Sequence, residues 1–282
     1  MGSYRFNLVD VFTDRAYAGN QLGVFTDARG LSAEQMLVLA RELNFSESTF
    51  VLPAEADGHA RIRIFTPAGE IPFAGHPVLG TAFVLGGPLQ LVRIELETER
   101  GIVPVTLERE GARIVFGRMS QPVPTWCAFE RTAEILVALG LAADAPVLPV
   151  DEYDNGVQHV LLALSSPEEI AALSPDFGRL SQIARDGVSC FSARGACVKS
   201  RMFAPAMGIN EDPATGSAAG PLAVHLARHG AIAWGEEIEI SQGAEIGRPS
   251  TLYARADGSD EVVTAVEVGG SAVVVGRGEL TL

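Results

Sequence analysis

Three short stretches carry side chains able to move a proton or grip an anion. Glu47 sits in Asn44-Phe-Ser-Glu-Ser-Thr-Phe50, at the join of a helix and a strand. A carboxylate flanked by Phe45 and Phe50 would lose part of its hydration. That loss raises a carboxyl pKa above its reference of about 4.3 and makes a proton carrier usable near neutrality. An exposed acid at a strand start is the competing reading. His76 lies in Gly75-His-Pro77, where the proline suits a first helical turn. Histidine is a poor N-cap, so this ring either faces a partner or lies on the surface. Asp212 and Ser217 belong to Glu211-Asp-Pro-Ala-Thr-Gly-Ser217. Asp212 and Thr215 before a helix are ordinary caps. Capping does not explain the Gly, Ser and Ala residues that follow, which let a ligand approach the backbone closely.

Other chemistries find less support. No GxGxxG, GxSxG or HExxH occurs, so the motif case for dinucleotide binding, α/β-hydrolase and zincin chemistry fails. His225 and His229 stand four apart on a helical pattern, but the sequence supplies no third ligand and no metal site is expected. Cys127, Cys190 and Cys197 lack CxxC spacing and read as reduced core thiols. Lys199 is the only lysine, so Schiff-base chemistry would have to use it, and the Gly-Lys of a P-loop never occurs. Arg248, in Gly247-Arg-Pro249, reads either as a substrate contact or as half of a surface ion pair.

The elements around these residues alternate between strand and helix. Strands are expected at Tyr4–Phe12, Leu22–Thr26, Ser48–Leu52, Ala60–Phe65, Leu89–Glu97, Ile102–Glu108 and Arg113–Phe116. Ser32 reads as the N-cap of a helix carrying Met36, Leu37, Leu39, Ala40 and Leu43, and Gly75–Leu85 as a buried helix. The second half repeats this grammar. Helices are expected at Arg131–Leu141, Ser166–Leu173 and Gly216–His229. Strands are expected at Gln158–Leu164, Gly187–Ser192, Val198–Phe203, Ile238–Ser241, Thr251–Ala254, Val262–Val268 and Ala272–Val275. Gln121-Pro-Val-Pro124 is the most linker-like segment. Arg63-Ile-Phe-Thr-Pro-Ala68 matches Arg201-Met-Phe-Ala-Pro-Ala206, and each precedes a small-residue helix opened by Gly75-His76 or Gly216-Ser217. The repeat implies two similar lobes. Helix N-termini facing one cleft would offer backbone N–H groups to a carboxylate.

Composition narrows the partners. The 282 residues suit one large or two small domains, and 47% hydrophobic content is ample for a core. Lys and Arg total 21 against 35 Asp and Glu, a net charge of −14. Such a chain repels phosphate backbones and anionic lipid, so neither nucleic acid nor membrane is expected as a partner. A small anionic substrate would need local positive potential. No apolar run reaches the roughly 18 residues that cross a bilayer, and the first residues lack an apolar signal core. A cytoplasmic protein is expected.

Four motifs carry a family likeness. Asn20-Gln-Leu-Gly-Val-Phe25, Ser46-Glu-Ser-Thr-Phe-Val51, Phe65-Thr-Pro-Ala-Gly-Glu-Ile-Pro-Phe-Ala-Gly-His-Pro77 and Glu211-Asp-Pro-Ala-Thr-Gly-Ser-Ala-Ala-Gly220 resemble the PhzF family. This is the phenazine-biosynthesis isomerase group, built on the diaminopimelate-epimerase fold, and the likeness covers nearly the whole chain. It implies an α+β protein of two pseudo-symmetric lobes, each a β-barrel-like sheet around a central helix, with the active site between them. The lobes would cover 1–118 and 119–267, with a strand over 268–282 available to complete the first. The resemblance also implies a homodimer without cofactor. Its implied activity moves a proton from C3 to C1 of trans-2,3-dihydro-3-hydroxyanthranilate, a small anionic cyclic amino acid. Another small cyclic or amino carboxylate is the alternative substrate.

Carried over residue by residue, Glu47 matches the family's general acid/base. His76, Asp212 and Ser217 match its other active-site residues. Asn20, Ser46, Gly75, Thr215, Gly216 and Ala218 fall in its substrate-binding segments. Epimerase relatives shuttle protons with two cysteines. Ala74-Gly75 and Thr215-Gly216 stand where those Cys-Gly pairs would fall, which disfavours two-cysteine racemisation. Gln21 departs from the pattern, since many members carry Pro after Gly-Asn.

Overall fold

The computed structural model describes residues 2–282. It divides into two compact units, one formed by the chain up to Ser120 with Gly269–Leu282, the other by Gln121–Val268.

In the first unit Ser3–Val11 pairs antiparallel with Asn20–Phe25 on one side and Ala272–Thr281 on the other. Asn20–Phe25 runs parallel to Glu47–Leu52, which pairs antiparallel with Ala60–Phe65. The sheet continues through Arg93–Thr98, Gly101–Glu110 and Arg113–Ser120. It wraps the helix Gly75–Leu89, whose residues Gly75–Phe83 are all buried. Glycine makes that fit possible. A Cβ on Gly80 would stand 2.6 Å from Leu22 and 2.7 Å from Val11, and one on Gly86 would stand 2.4 Å from Leu107. The outer face carries the helix Ala33–Leu43, seated on Phe25, Phe50 and Phe65. Ser32 caps it by accepting from the Gln35 backbone N–H, a local bond worth about 1 kcal/mol.

The second unit repeats this order. Asp151–Asp154 pairs antiparallel with Gln158–Ala163, which runs parallel to Val188–Arg194. Val188–Arg194 pairs antiparallel with Cys197–Ala204, which runs parallel to Glu237–Gln242, itself antiparallel to Ser250–Gly258. The central helix is Gly216–Arg228, and every residue from Gly216 to Ala227 is buried. Short helices Thr132–Leu139, Pro167–Ala172 and Phe177–Leu180 cover the outside through Ile135, Leu139, Ile170, Leu180 and Phe203. The fold is thus α+β, two sheet-wrapped helices with the same strand order in each unit.

Several elements differ from the sequence reading. The first central helix runs past Leu85 to Leu89, so the following strand starts at Arg93 and not Leu89. Gln90 ends the helix in the left-handed region at φ 52°. The last strand extends from Ala272 to Thr281, well past Val275. A Cβ on Gly278 would fall 2.6 Å from the Phe6 ring. Glycine there makes room for an aromatic on the paired strand. The linker-like Gln121–Pro124 leads straight into the strand Thr125–Ala128, paired with Asp151–Asp154. Among the described residues no helix is long and apolar enough to cross a membrane.

Candidate active site

Glu47 opens the strand Glu47–Leu52, and alternation along the strand decides what it faces. Thr49, on the same side, hydrogen-bonds Thr81 of the central helix, oxygen to oxygen 2.8 Å. Phe50 points the other way, stacked on Phe25 at 4.7 Å between ring centroids. Phe50 therefore does not desolvate Glu47, contrary to the sequence expectation. The helix start does. The Glu47 carboxylate is only 12% exposed, and its Oε2 lies 3.4 Å from His76 Nε2.

His76 is the second residue of the central helix and is buried. Burial drives its pKa down to about 3, partly offset by a backbone hydrogen bond with Gln21. The imidazole is therefore neutral. Asn20 Nδ2 lies 3.3 Å from His76 Nδ1. The other ring nitrogen, Nε2, faces the Glu47 carboxylate. Asn20, Glu47 and His76 thus form one group in the first unit. Ser46 precedes Glu47 in a half-buried turn, and Gly75 is the buried first helical residue.

The second unit holds a differently built cluster. Asp212 Oδ2 accepts from Thr215 Oγ1 at 2.6 Å. Gln242 Nε2 donates to the Asp212 carbonyl at 2.7 Å and to Thr215 Oγ1 at 3.0 Å. Thr215 occupies the N-cap position, yet its hydroxyl makes no capping bond. Capping therefore does not account for Thr215, whose side chain holds Asp212 instead. Gly216 and Ser217 open the helix with their carbonyls accepting from Gln121 Nε2 and Asn155 Nδ2, each at 2.8 Å. Ser217 Oγ lies 3.0 Å from His159 Nε2, and Ala218 is buried in the same turn. Ala74, at the matching N-cap position of the first unit, also lacks a side-chain cap.

Sequence reasoning passed over Gln121, Asn155, His159 and Gln242. All four are buried polar residues, and only the fold shows that they converge on one helix start. A histidine inside the apolar run Gln158–Ala163 was the available signal for His159.

Residues outside these clusters resolve differently. Cys190 is buried, but Cys127 and Cys197 are exposed and are not core thiols. Cys127 lies on the largely exposed strand Thr125–Ala128, and Cys197 is the exposed first residue of Cys197–Ala204. Lys199 Nζ pairs with Glu245 Oε1 at 2.6 Å, which occupies the lone lysine in an ion pair. His225 and His229 do acquire a third neighbour, Asp151, whose Oδ2 lies 3.6 Å and 3.0 Å from them. Arg228 Nη1 stands 3.3 Å from the same oxygen. A guanidinium already neutralises that carboxylate, so the cluster reads as a buried ion network braced on Trp126, 4.3 Å below the guanidinium carbon.

The phenazine biosynthesis-like family model matches residues 9–278. The chain belongs to that family. It is 50% identical over 279 residues to the trans-2,3-dihydro-3-hydroxyanthranilate isomerase of Pseudomonas aeruginosa, covering 99% of this chain and 100% of the relative. Among solved structures, a PhzF-family phenazine biosynthesis protein of Bacillus anthracis matches with TM-score 0.88 at 24% identity, over 100% of both chains. A hydroxyproline epimerase from Agrobacterium vitis matches with TM-score 0.69 at 14% identity, over 99% of this chain and 91% of that one. The fold is therefore shared with epimerases, as the family resemblance implied.

Proposed function

We propose that this chain isomerises trans-2,3-dihydro-3-hydroxyanthranilate, with Glu47 carrying one proton from ring C3 to ring C1. Family membership and the near-complete match to a relative of that name support the substrate. The observation that carries the mechanism is the largely buried Glu47 carboxylate, held 3.4 Å from a neutral imidazole.

His76 packs its neutral ring beside the carboxylate and leaves Glu47 as the base. Glu47 takes the C3 proton, and the electron pair left behind delocalises through the diene towards C1. The protonated carboxyl then returns its proton to C1. One enol remains and tautomerises to an amino-ketone, which is reactive towards a second copy of itself. No electrons are gained or lost, so the balance requires no redox partner. Positioned proton transfer of this kind contributes roughly 10²–10⁴-fold.

We assign anion binding to the helix starts, Gly75 in the first unit and Gly216–Ser217 in the second. Neither Ala74 nor Thr215 supplies a side-chain cap to the first-turn N–H groups, and such groups favour an anion. Asn20, Ser46, Thr215 and Ala218 complete the binding segments, and His76 and Asp212 take the substrate's amino and hydroxyl groups. The enzyme is read as a cofactor-free cytoplasmic homodimer, with neither nucleic acid nor membrane as a partner.

The test is incubation of the purified protein with the substrate in D₂O, following the ultraviolet spectrum and deuterium uptake together. Loss of the diene with product bearing its new hydrogen at C1 is the expected result. Absence of conversion by folded protein would overturn the assignment of substrate.

A further inference from the structure

His159 is a fully buried titratable group that the mechanism above leaves unused. It comes from the strand Gln158–Ala163 and reaches the start of the central helix, where its Nε2 lies 3.0 Å from Ser217 Oγ. Its other ring nitrogen, Nδ1, meets no protein hydrogen-bonding partner among the described residues. That asymmetry settles the tautomer. A buried N–H without an acceptor is rarer and costlier than a buried lone pair without a donor. The ring proton therefore belongs on Nε2, and the imidazole donates to Ser217 Oγ. A hydroxyl that accepts from one side keeps its own proton for a second partner. The backbone around it is braced, because Asn155 and Gln121 hold the Ser217 and Gly216 carbonyls.

We propose that His159 is a positioning residue: through an Nε2–H···Oγ hydrogen bond it makes Ser217 an obligate hydrogen-bond donor to negative charge on the substrate. The inference rests on the reading of Ser217 as a substrate contact. Burial supports it independently, lowering the His159 pKa to about 4 against a smaller opposing effect of Asp154. The ring stays neutral at working pH and keeps one fixed tautomer. A protonated ring would add a buried charge beside the hydroxyl, and the opposite tautomer would draw the serine proton back towards the imidazole.

Two measurements test this. The first is ¹⁵N correlation spectroscopy of the histidine rings in the wild-type protein, without substrate. Protonated Nε2 with unprotonated Nδ1 is expected at His159 from pH 8 down to pH 5; the Nδ1–H tautomer would overturn the proposal. The second is turnover in a double-mutant cycle of His159→Met and Ser217→Ala, with His159→Gln as the conservative variant. Ser217→Ala is expected to lower kcat on the order of 100-fold, and His159→Met about tenfold in the wild-type background. In the Ser217→Ala background His159→Met should change kcat less than about twofold, because its effect passes through the missing hydroxyl. His159→Gln, whose amide can place a donor near the Nε2 position, should recover most of the loss. Independent, multiplying losses would show a merely structural role, and a Ser217→Ala variant with full activity would also overturn the proposal. If the wild type itself fails to turn over the substrate, the activity reading fails, and the tautomer alone then decides for or against the hydrogen bond.

Discussion

The helices Gly75–Leu89 and Gly216–Arg228 occupy the same place in the strand order of their units, yet their starts are equipped differently. At the first, the second helical residue is His76, contacted by Asn20 from the neighbouring strand and by the Glu47 carboxylate. At the second, the matching residue is Ser217, contacted by His159 from the corresponding strand. Where the first unit has Glu47 opposite Leu22 on the face towards its helix, the second has Ser189 opposite Leu161. The carboxylate proposed to carry the proton is thus present once, while a polar second helical residue contacted by a buried polar neighbour is present twice. Two like cysteines on such a frame suit epimerisation through two bases. A single carboxylate suits moving one proton between two carbons of one substrate.

The largest of the effects that would sharpen this contrast is expected at Asp212. Asp212→Asn should lower kcat on the order of 100-fold. Its melting temperature should stay within about 3 °C of wild type, because asparagine can still accept from Thr215. A large loss of stability in circular dichroism melts would instead make Asp212 a structural residue. Asn20→Ala should lower kcat about tenfold by releasing the His76 ring from its place beside Glu47, with KM little changed. Steady-state kinetics checks this, and an unchanged kcat would detach Asn20 from the group around Glu47.

Acid should weaken both helix starts. Histidine titrates at about 6.5 when unfolded, whereas burial lowers His76 to about 3 and His159 to about 4. Between those values the unfolded chain binds more protons than the folded one. The stabilisation is therefore complete above the unfolded pKa and is lost as pH falls towards the folded values. Between pH 7 and pH 5 each ring should contribute a loss of about 2 kcal/mol. Urea unfolding at the two values checks this, and His76→Gln should flatten part of the slope. Over the same range kcat/KM should show no limb from His76, which stays neutral. The smallest expected effect is none at all. A thiol-blocking reagent should modify the exposed Cys127 and Cys197 without changing turnover. Loss of activity would revive cysteine chemistry.

The parts of this arrangement that are local were readable in the chain. Ser32 capped its helix as expected because the cap bond spans three residues, from Ser32 to Gln35. The small-residue helices were readable from Gly and Ala density, since only such residues let strands close tightly around a helix. What strand pairing decides was not. Phe50 is three residues from Glu47 but faces away from it, so sequence proximity gave the wrong cause for that carboxylate's burial. His159 and Ser217 are 58 residues apart, and nothing local joins them. The last strand runs past Val275 because Gly278 makes room for Phe6 on the paired strand, a contact no local stretch of sequence contains. Asp151 could not be linked to His225 and His229 until its strand had a place beside the helix.

The central claim is that Glu47 alone carries the proton, and Glu47→Gln measures it most directly. Glutamine keeps the size of the side chain and its place beside His76 but cannot take a proton from carbon. Turnover of trans-2,3-dihydro-3-hydroxyanthranilate by this variant should fall by at least about 100-fold, with an unchanged melting curve and retained substrate binding. A Glu47→Gln protein that folds, binds and isomerises at near wild-type rate would contradict the account.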